Sequence, residues 1–111
     1  MGYDLHITRA EDWLDAEARP IGRDEWNSYA GRHPDMVAEG WVEWADVGRE
    51  PIYDWPSGNE ERSSLSWRNG EVVVTGVYTD HLPGLVTIAA DLGANLIGDD
   101  GERYSTEGTI D

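Results

Sequence analysis

Alternation opens the chain. Tyr3, Leu5 and Ile7 are apolar while Asp4, His6 and Thr8 are polar, the period-two pattern of a strand with one buried and one wet face. Glu11 to Arg19 follows, with Glu11, Asp12, Asp15 and Glu17 around Trp13 and Leu14 and no base before Arg19. It reads as an acidic connection with room for one helical turn. Ile21-Gly22-Arg23-Asp24-Glu25-Trp26 is a helix start: Gly22 fits the N-cap, Glu25 falls at N3, and Ile21 can staple against Trp26 at N4. Trp26, Tyr29 and Ala30 then share one face, and Pro34 closes the helix around Arg32. Met36 to Val47 fits two periods, because Trp41, Val42 and Trp44 suit an amphipathic helix or a strand. Gly40 weakens the helix, so a strand is expected from Trp41 to Val47.

Pro51, Pro56, Ser57, Gly58 and Asn59 mark an irregular segment in which Ile52, Tyr53 and Trp55 form a short strand. The clearest local signal comes next. Ser64 to Trp67 and Glu71 to Tyr78 flank Arg68-Asn69-Gly70, and Asn-Gly between β-patterned runs favours a type I′ hairpin. Val72 to Tyr78 is apolar on both faces, which predicts a central strand. Pro83 sits in the first turn of a second helix whose Leu85, Ile88, Ala89 and Leu92 recur at helical spacing, with Gly93 as its stop. Leu96 and Ile97 predict a short strand, Asp99-Asp100-Gly101 a tight turn and Glu102 to Tyr104 its return, after which residues 105–111 should fray. The order predicts one α+β domain: a two-layer sandwich of a mainly antiparallel sheet with two helices on one face, a variant of the ferredoxin-like plan being one arrangement that fits.

The 111-residue length suits a single core. Six Trp and five Tyr with no Phe mean that indoles help to fill it. No apolar run approaches membrane-spanning length and no secretory opening is present, so a cytoplasmic location is expected. Cysteine is absent, which removes disulfides, thiolate metal sites and cysteine nucleophiles together. The dominant number is a formal net charge of −15, from 23 acids against eight bases. Such a field repels phosphate backbones and anionic lipid and favours a basic partner, while solubility alone is the plainer explanation. Position decides between them. Residues 63–98 hold three acids against one arginine, whereas 10–18 hold four acids and no base, 41–62 six against two, and 99–111 five against one. Acid therefore gathers on the expected loops and edges, and binding becomes the better reading.

Little in the chain looks like catalysis. His6, His33 and His81 are scattered, and no pair has zinc-helix spacing. His6 and Asp4 share a strand face and could form an acid/base pair below a cleft, although a wet face needs only polar residues there. No Gly-x-Ser-x-Gly elbow surrounds any serine, and Ser63, Ser64 and Ser66 look like strand-edge residues. Gly98-Asp99-Asp100-Gly101-Glu102 crowds carboxylates into one turn but lacks calcium-loop spacing, and there is no phosphate cradle. No catalytic residue, metal or cofactor is therefore expected. The segment 41–62 contains Trp41, Trp44, Tyr53 and Trp55, and aromatic anchors inside a charged rim are the composition of a protein-binding surface. Trp26 and Trp67 are expected in the core, whereas Trp41, Trp44 and Trp55 suit core and interface equally.

Tyr3-Asp4-Leu5-His6-Ile7-Thr8-Arg9, the helix Ile21-x-x-x-Glu25-Trp26-x-x-Tyr29, and Leu92-Gly93-Ala94 through Gly98-Asp99-Asp100-Gly101-Glu102-x-Tyr104 resemble a family of small, acidic, uncharacterised bacterial proteins. The likeness covers both ends, leaves the Trp-rich middle unmatched and rests on motifs that look structural. In size, acidity and architecture the chain also resembles the immunity proteins of bacterial polymorphic and secreted toxin systems. That second likeness implies an inhibitor that presents carboxylates to the basic cleft of a toxin domain, with no direct nucleic-acid or membrane contact. The expected anchors are Trp44, Tyr53 and Trp55, with Asp46, Asp54, Glu60 and Glu61 as charge partners. A duplex-mimicking inhibitor of a nucleic-acid-binding enzyme and a small metal- or His6-dependent enzyme are the alternatives.

Overall fold

In the computed structural model, residues 4–10, 13–45, 48–56, 60–76, 78–99, 101–105 and 108–109 are described; residues 13, 14, 16, 79, 105, 108 and 109 are described by backbone alone. Eight strands and two α-helices follow one another as β1 (Leu5–Thr8), α1 (Arg23–Arg32), β2 (Val37–Trp44), β3 (Gly48–Trp55), β4 (Ser63–Arg68), β5 (Glu71–Thr75), α2 (Leu82–Asp91), β6 (Asn95–Gly98), β7 (Arg103–Ser105) and β8 (Gly108–Thr109). The strands form one sheet in the order β2-β3-β4-β5-β1-β6-β7-β8, with every neighbouring pair antiparallel. The result is the α+β two-layer sandwich.

Register explains the two faces. Leu5 lies opposite Val74, Ile7 opposite Val72 and Leu96, and Leu65 opposite Val74 and Tyr53. These residues form one core with Trp26 and Ala30 of α1 and Leu85, Ile88 and Ala89 of α2, so both helices cover the same side of the sheet. Trp26 has no exposed surface and meets Tyr53 edge-on at 5.8 Å between ring centres, a favoured aromatic geometry. The helices are joined by the Tyr29 hydroxyl, which donates to Asp91 at 2.8 Å. Gly84 lets α2 settle on β3, because a Cβ there would overlap the Trp55 indole.

Local chemistry sets the element boundaries. The Gly22 N–H donates to the Glu25 carboxylate at 3.3 Å, the reach-back half of a capping box. Asn69 (φ 50°) and Gly70 (φ 92°) form the turn between β4 and β5, both in the left-handed region that a type I′ hairpin needs. At the end of α2, Ala94 N donates to Ala89 O at 2.8 Å and Gly93 N to Ala90 O at 3.0 Å, with Gly93 at φ 65°. That pair of bonds is a Schellman stop.

Several boundaries differ from the sequence expectation. β2 begins at Val37 rather than Trp41, because it is an edge strand whose exposed Ala38, Glu39 and Gly40 carry no burial pattern. A bulge between Ala38 and Trp41 further breaks its alternation. β3 is a full strand of eight residues despite Pro51. Its pairing with β4 covers only Tyr53 to Trp55. Continuing that register would place Pro51 opposite Trp67, and proline has no N–H to donate. The Trp67 carbonyl instead accepts the Trp44 indole N–H at 3.1 Å. β5 ends at Thr75, short of Tyr78, where Gly76 takes φ 69°. The chain end does not fray throughout, since Gly108 and Thr109 pair with β7. Relative to the ferredoxin-like plan, β5-α2-β6 splits around β1 as expected, but β1 and β2 are separated by three strands, β3, β4 and β5, where a single strand intervenes in the plain plan.

Candidate functional site

The acidic, aromatic margin is divided by the fold. Trp44 is half-buried, its indole bonded to Trp67 and its ring covered by the Arg68 guanidinium at 4.9 Å. Tyr53 and Trp55, each 9% exposed, belong to the core instead of serving as surface anchors. The reason is register: both point to the helix side of β3, where Tyr53 donates to Asn27 at 3.3 Å and Trp55 meets His81 edge-on at 5.3 Å. Burial, then the neighbouring charge of Glu50, raises the Tyr53 pKa above its ordinary value. Asp54 is partly buried and accepts from the Ser64 hydroxyl at 3.4 Å, with Arg62 Nε 4.0 Å away. Glu60 and Glu61 are exposed beyond the end of β3. Asp46 lies outside the described residues.

Among the described side chains, the exposed indole is Trp41. It stands 61% exposed in the middle of β2, with Arg49 of β3 at 5.8 Å from its ring. Val37, Ala38, Glu39, Gly40 and Glu43 of the same strand are exposed too. Of the expected core residues, Trp26 is buried, and Trp67 is half-buried against the core, donating to Ile21 O at 2.8 Å.

A second constellation lies on the side of β1 away from α1 and α2. His6 is 5% exposed. Its Nδ1 is 2.6 Å from Glu71 Oε1 on β5, and its Nε2 is 2.7 Å from Asp99 Oδ1 just after β6. Asp4 is not its partner; its backbone N–H donates to the other Asp99 oxygen at 3.0 Å. With a carboxylate at each ring nitrogen, the ring donates from both as imidazolium. Burial opposes that charge, but the hydrogen bonds and charges of Glu71 and Asp99 outweigh it and raise the His6 pKa. For Asp99, burial is outweighed by the bond from His6 and the Asp4 N–H, which lower its pKa. The Asp4 pKa is raised by burial and by the charge of Asp99. An imidazolium engaged twice has no lone pair with which to accept a substrate proton, so this geometry ties strands together.

The pH dependence has a definite sign. Folding raises the His6 pKa from its ordinary 6.5, so its stabilisation is fully present below that pH and is lost as pH rises through the folded-state value. Folding lowers the Asp99 pKa from 3.8, so its share is present above that pH and lost as pH falls through the lowered value. Urea unfolding should therefore show the cluster's stabilisation at its fullest in the weakly acidic range and declining to the alkaline side. In His6→Gln that alkaline decline should shrink.

A buried Ser63-His81 contact also differs from nucleophile activation. The Ser63 hydroxyl donates to Gly76 O at 3.1 Å, so at 3.0 Å it accepts from the His81 Nδ1–H. Among the described residues there is no group of three or more His, Asp or Glu suited to a metal ion, and no helix is long and apolar enough to cross a membrane. Asp99 of the acidic turn is committed to His6 and Asp4, while the Glu102 carboxylate accepts from the Tyr104 hydroxyl at 2.8 Å. Comparison with protein-family models, curated proteins and solved structures finds no match to this chain.

Three stretches of sequence distant in the chain meet here. His6 of the opening segment holds Asp99 of the closing one. Arg9 donates to Leu92 O at 3.0 Å and to Pro20 O at 3.1 Å, and pairs with Glu25 at the start of α1. Sequence reading missed Glu71 and Asp99 as the partners of His6, since nothing local marks a cross-strand pair. The one available signal was an acid, Glu71, beginning an otherwise apolar central strand.

Proposed function

We propose that this protein is a binding protein of the immunity type, a cytoplasmic inhibitor that places acidic side chains in the basic cleft of a bacterial toxin domain. The observation that carries the reading is Trp41, an indole 61% exposed on an edge strand within a stretch, residues 35–46, that has four acids and no base. A large exposed aromatic on a strand with two glutamates supplies an anchor in a surface of net negative charge, even with Arg49 beside its ring, the combination that gives affinity and fast association with a cationic partner. Trp44 keeps its expected anchoring role and Trp41 replaces Tyr53 and Trp55 in theirs, with Glu39 and Glu43 beside them and Glu60 and Glu61 adding to the field. The net charge of −15 extends that field beyond the contact itself.

The test is co-expression with candidate toxin domains taken from the genes that neighbour this chain's own, followed by stopped-flow association of the purified pair. Growth should be restored, and the association rate should fall at least about tenfold between low and high salt as screening shortens the reach of the charges. Growth that is not restored by any neighbouring toxin domain sinks the immunity role; a salt-independent rate sinks the steering.

A further inference from the structure

The geometry points to β2 as the place where a partner adds a ninth strand to the sheet: an extended, basic segment of another protein, anchored on Trp41. The inference rests on the reading of the chain as an acidic binding protein and specifies how binding is made. Among the described residues, β2 is one end of the sheet order and pairs only with β3, whereas the strand at the other end, β8, has two residues. An eight-residue edge strand presents backbone donors and acceptors along its outer side, which proteins ordinarily blunt with a short strand, a bulge, a covering segment or charged side chains, lysine above all; β2 has a bulge and two glutamates. β2 contains no base at all.

The exposed side chains of β2 suit the same occupant. Val37, Trp41 and Tyr78 are the large apolar side chains exposed among the described residues, and two of them lie on β2. Trp41 is opposite Pro51 and Val37 opposite Asp54. Between those positions the alternation of β3 breaks, since Glu50 and Tyr53 are both buried and Glu50 pairs with Arg23 of α1 at 2.7 Å while Tyr53 meets Trp26 of the same helix. An added strand along Trp41 would pack one of its faces on that indole. The bulge between Ala38 and Trp41 divides the edge, so the new ladder runs along Trp41 to Trp44.

Charge selects the partner. A second copy of this chain would bring its own Glu39 and Glu43 up to the same edge, where like charges on neighbouring strands are unfavourable, as is the approach of two molecules of net charge −15. A strand carrying arginine or lysine on alternate positions meets Glu43 within the ladder and Glu39 just beyond it with opposite charge, and main-chain bonds supply the rest of the affinity.

The probe is a capped peptide alternating arginine and valine, titrated at low salt while tryptophan fluorescence and backbone amide exchange are followed. Saturable binding is expected, with exchange at Trp41 to Trp44 slowed at least about tenfold and affinity reduced about tenfold in Trp41→Ala. The same peptide with its central valine replaced by proline should bind far more weakly, because it cannot donate to the ladder. If the proline peptide binds equally well, or β2 exchange is unchanged in the bound state, strand addition is overturned while the acidic-binding reading stands. Absence of any peptide binding also overturns strand addition, and the toxin association rate then judges the broader reading separately. Trp41→Ala removes an exposed side chain and is checked for native circular dichroism; Glu39→Arg with Glu43→Arg should abolish peptide binding independently.

Discussion

His6→Ala should lower the stability of the protein by about 3–5 kcal/mol, the range for leaving one side of a buried ion pair without its partner. Glu71 is the reason. Its side chain is 9% exposed, so removal of the imidazolium leaves a carboxylate with little water to replace the 2.6 Å bond. Asp99, at 36% side-chain exposure, regains solvent more readily and contributes less. The double variant His6→Ala, Glu71→Ala should therefore be more stable than His6→Ala alone, because the stranded charge is gone. Denaturant unfolding of the three proteins measures this directly. A double variant less stable than the single would show that Glu71 is held by groups other than His6.

Trp26→Ala carries an expected loss of similar size, about 3–5 kcal/mol, for a different reason. The indole is wholly buried between α1 and β3, edge-on to Tyr53 and 6.1 Å from Tyr29. Its removal opens a cavity that α1, tied to α2 through Tyr29 and Asp91, cannot readily collapse into. Thermal and urea unfolding should both report it, with Trp41→Ala as a control near zero because that indole is mostly in water. A Trp41→Ala loss as large as that of Trp26→Ala would mean that the exposed indole is holding the β2–β3 ribbon together.

Elements whose determinants are local were legible in the sequence. Asn69-Gly70, the Gly22/Glu25 cap and the Gly93 stop each act within a few residues, and all three appear where expected. The central place of β5 was legible too, since Val72 to Val74 could only belong to a strand covered on both sides. β2 was harder, because an exposed edge strand has no hydrophobic face to announce it. The direction of Tyr53 and Trp55 depended on register: at positions two apart they share a face, but only pairing with Leu65 and Ser63 selects the face beneath the helices. The partners of His6 were the least legible. Glu71 and Asp99 lie 65 and 93 residues away along the chain, and their convergence follows from the sheet order alone.

That order has a kinetic side. β1 is the first strand to be synthesised within this chain, yet it sits between β5 and β6, so neither neighbour exists until most of the chain has been made. Its apolar Leu5 and Ile7 must wait, and closing loops of that length precedes any gain from pairing. Topologies dominated by such distant contacts fold slowly, on millisecond-to-second scales rather than in microseconds. The middle of the sheet is therefore completed late, and the β4–β5 hairpin with its tight Asn-Gly turn is the natural place for assembly to begin.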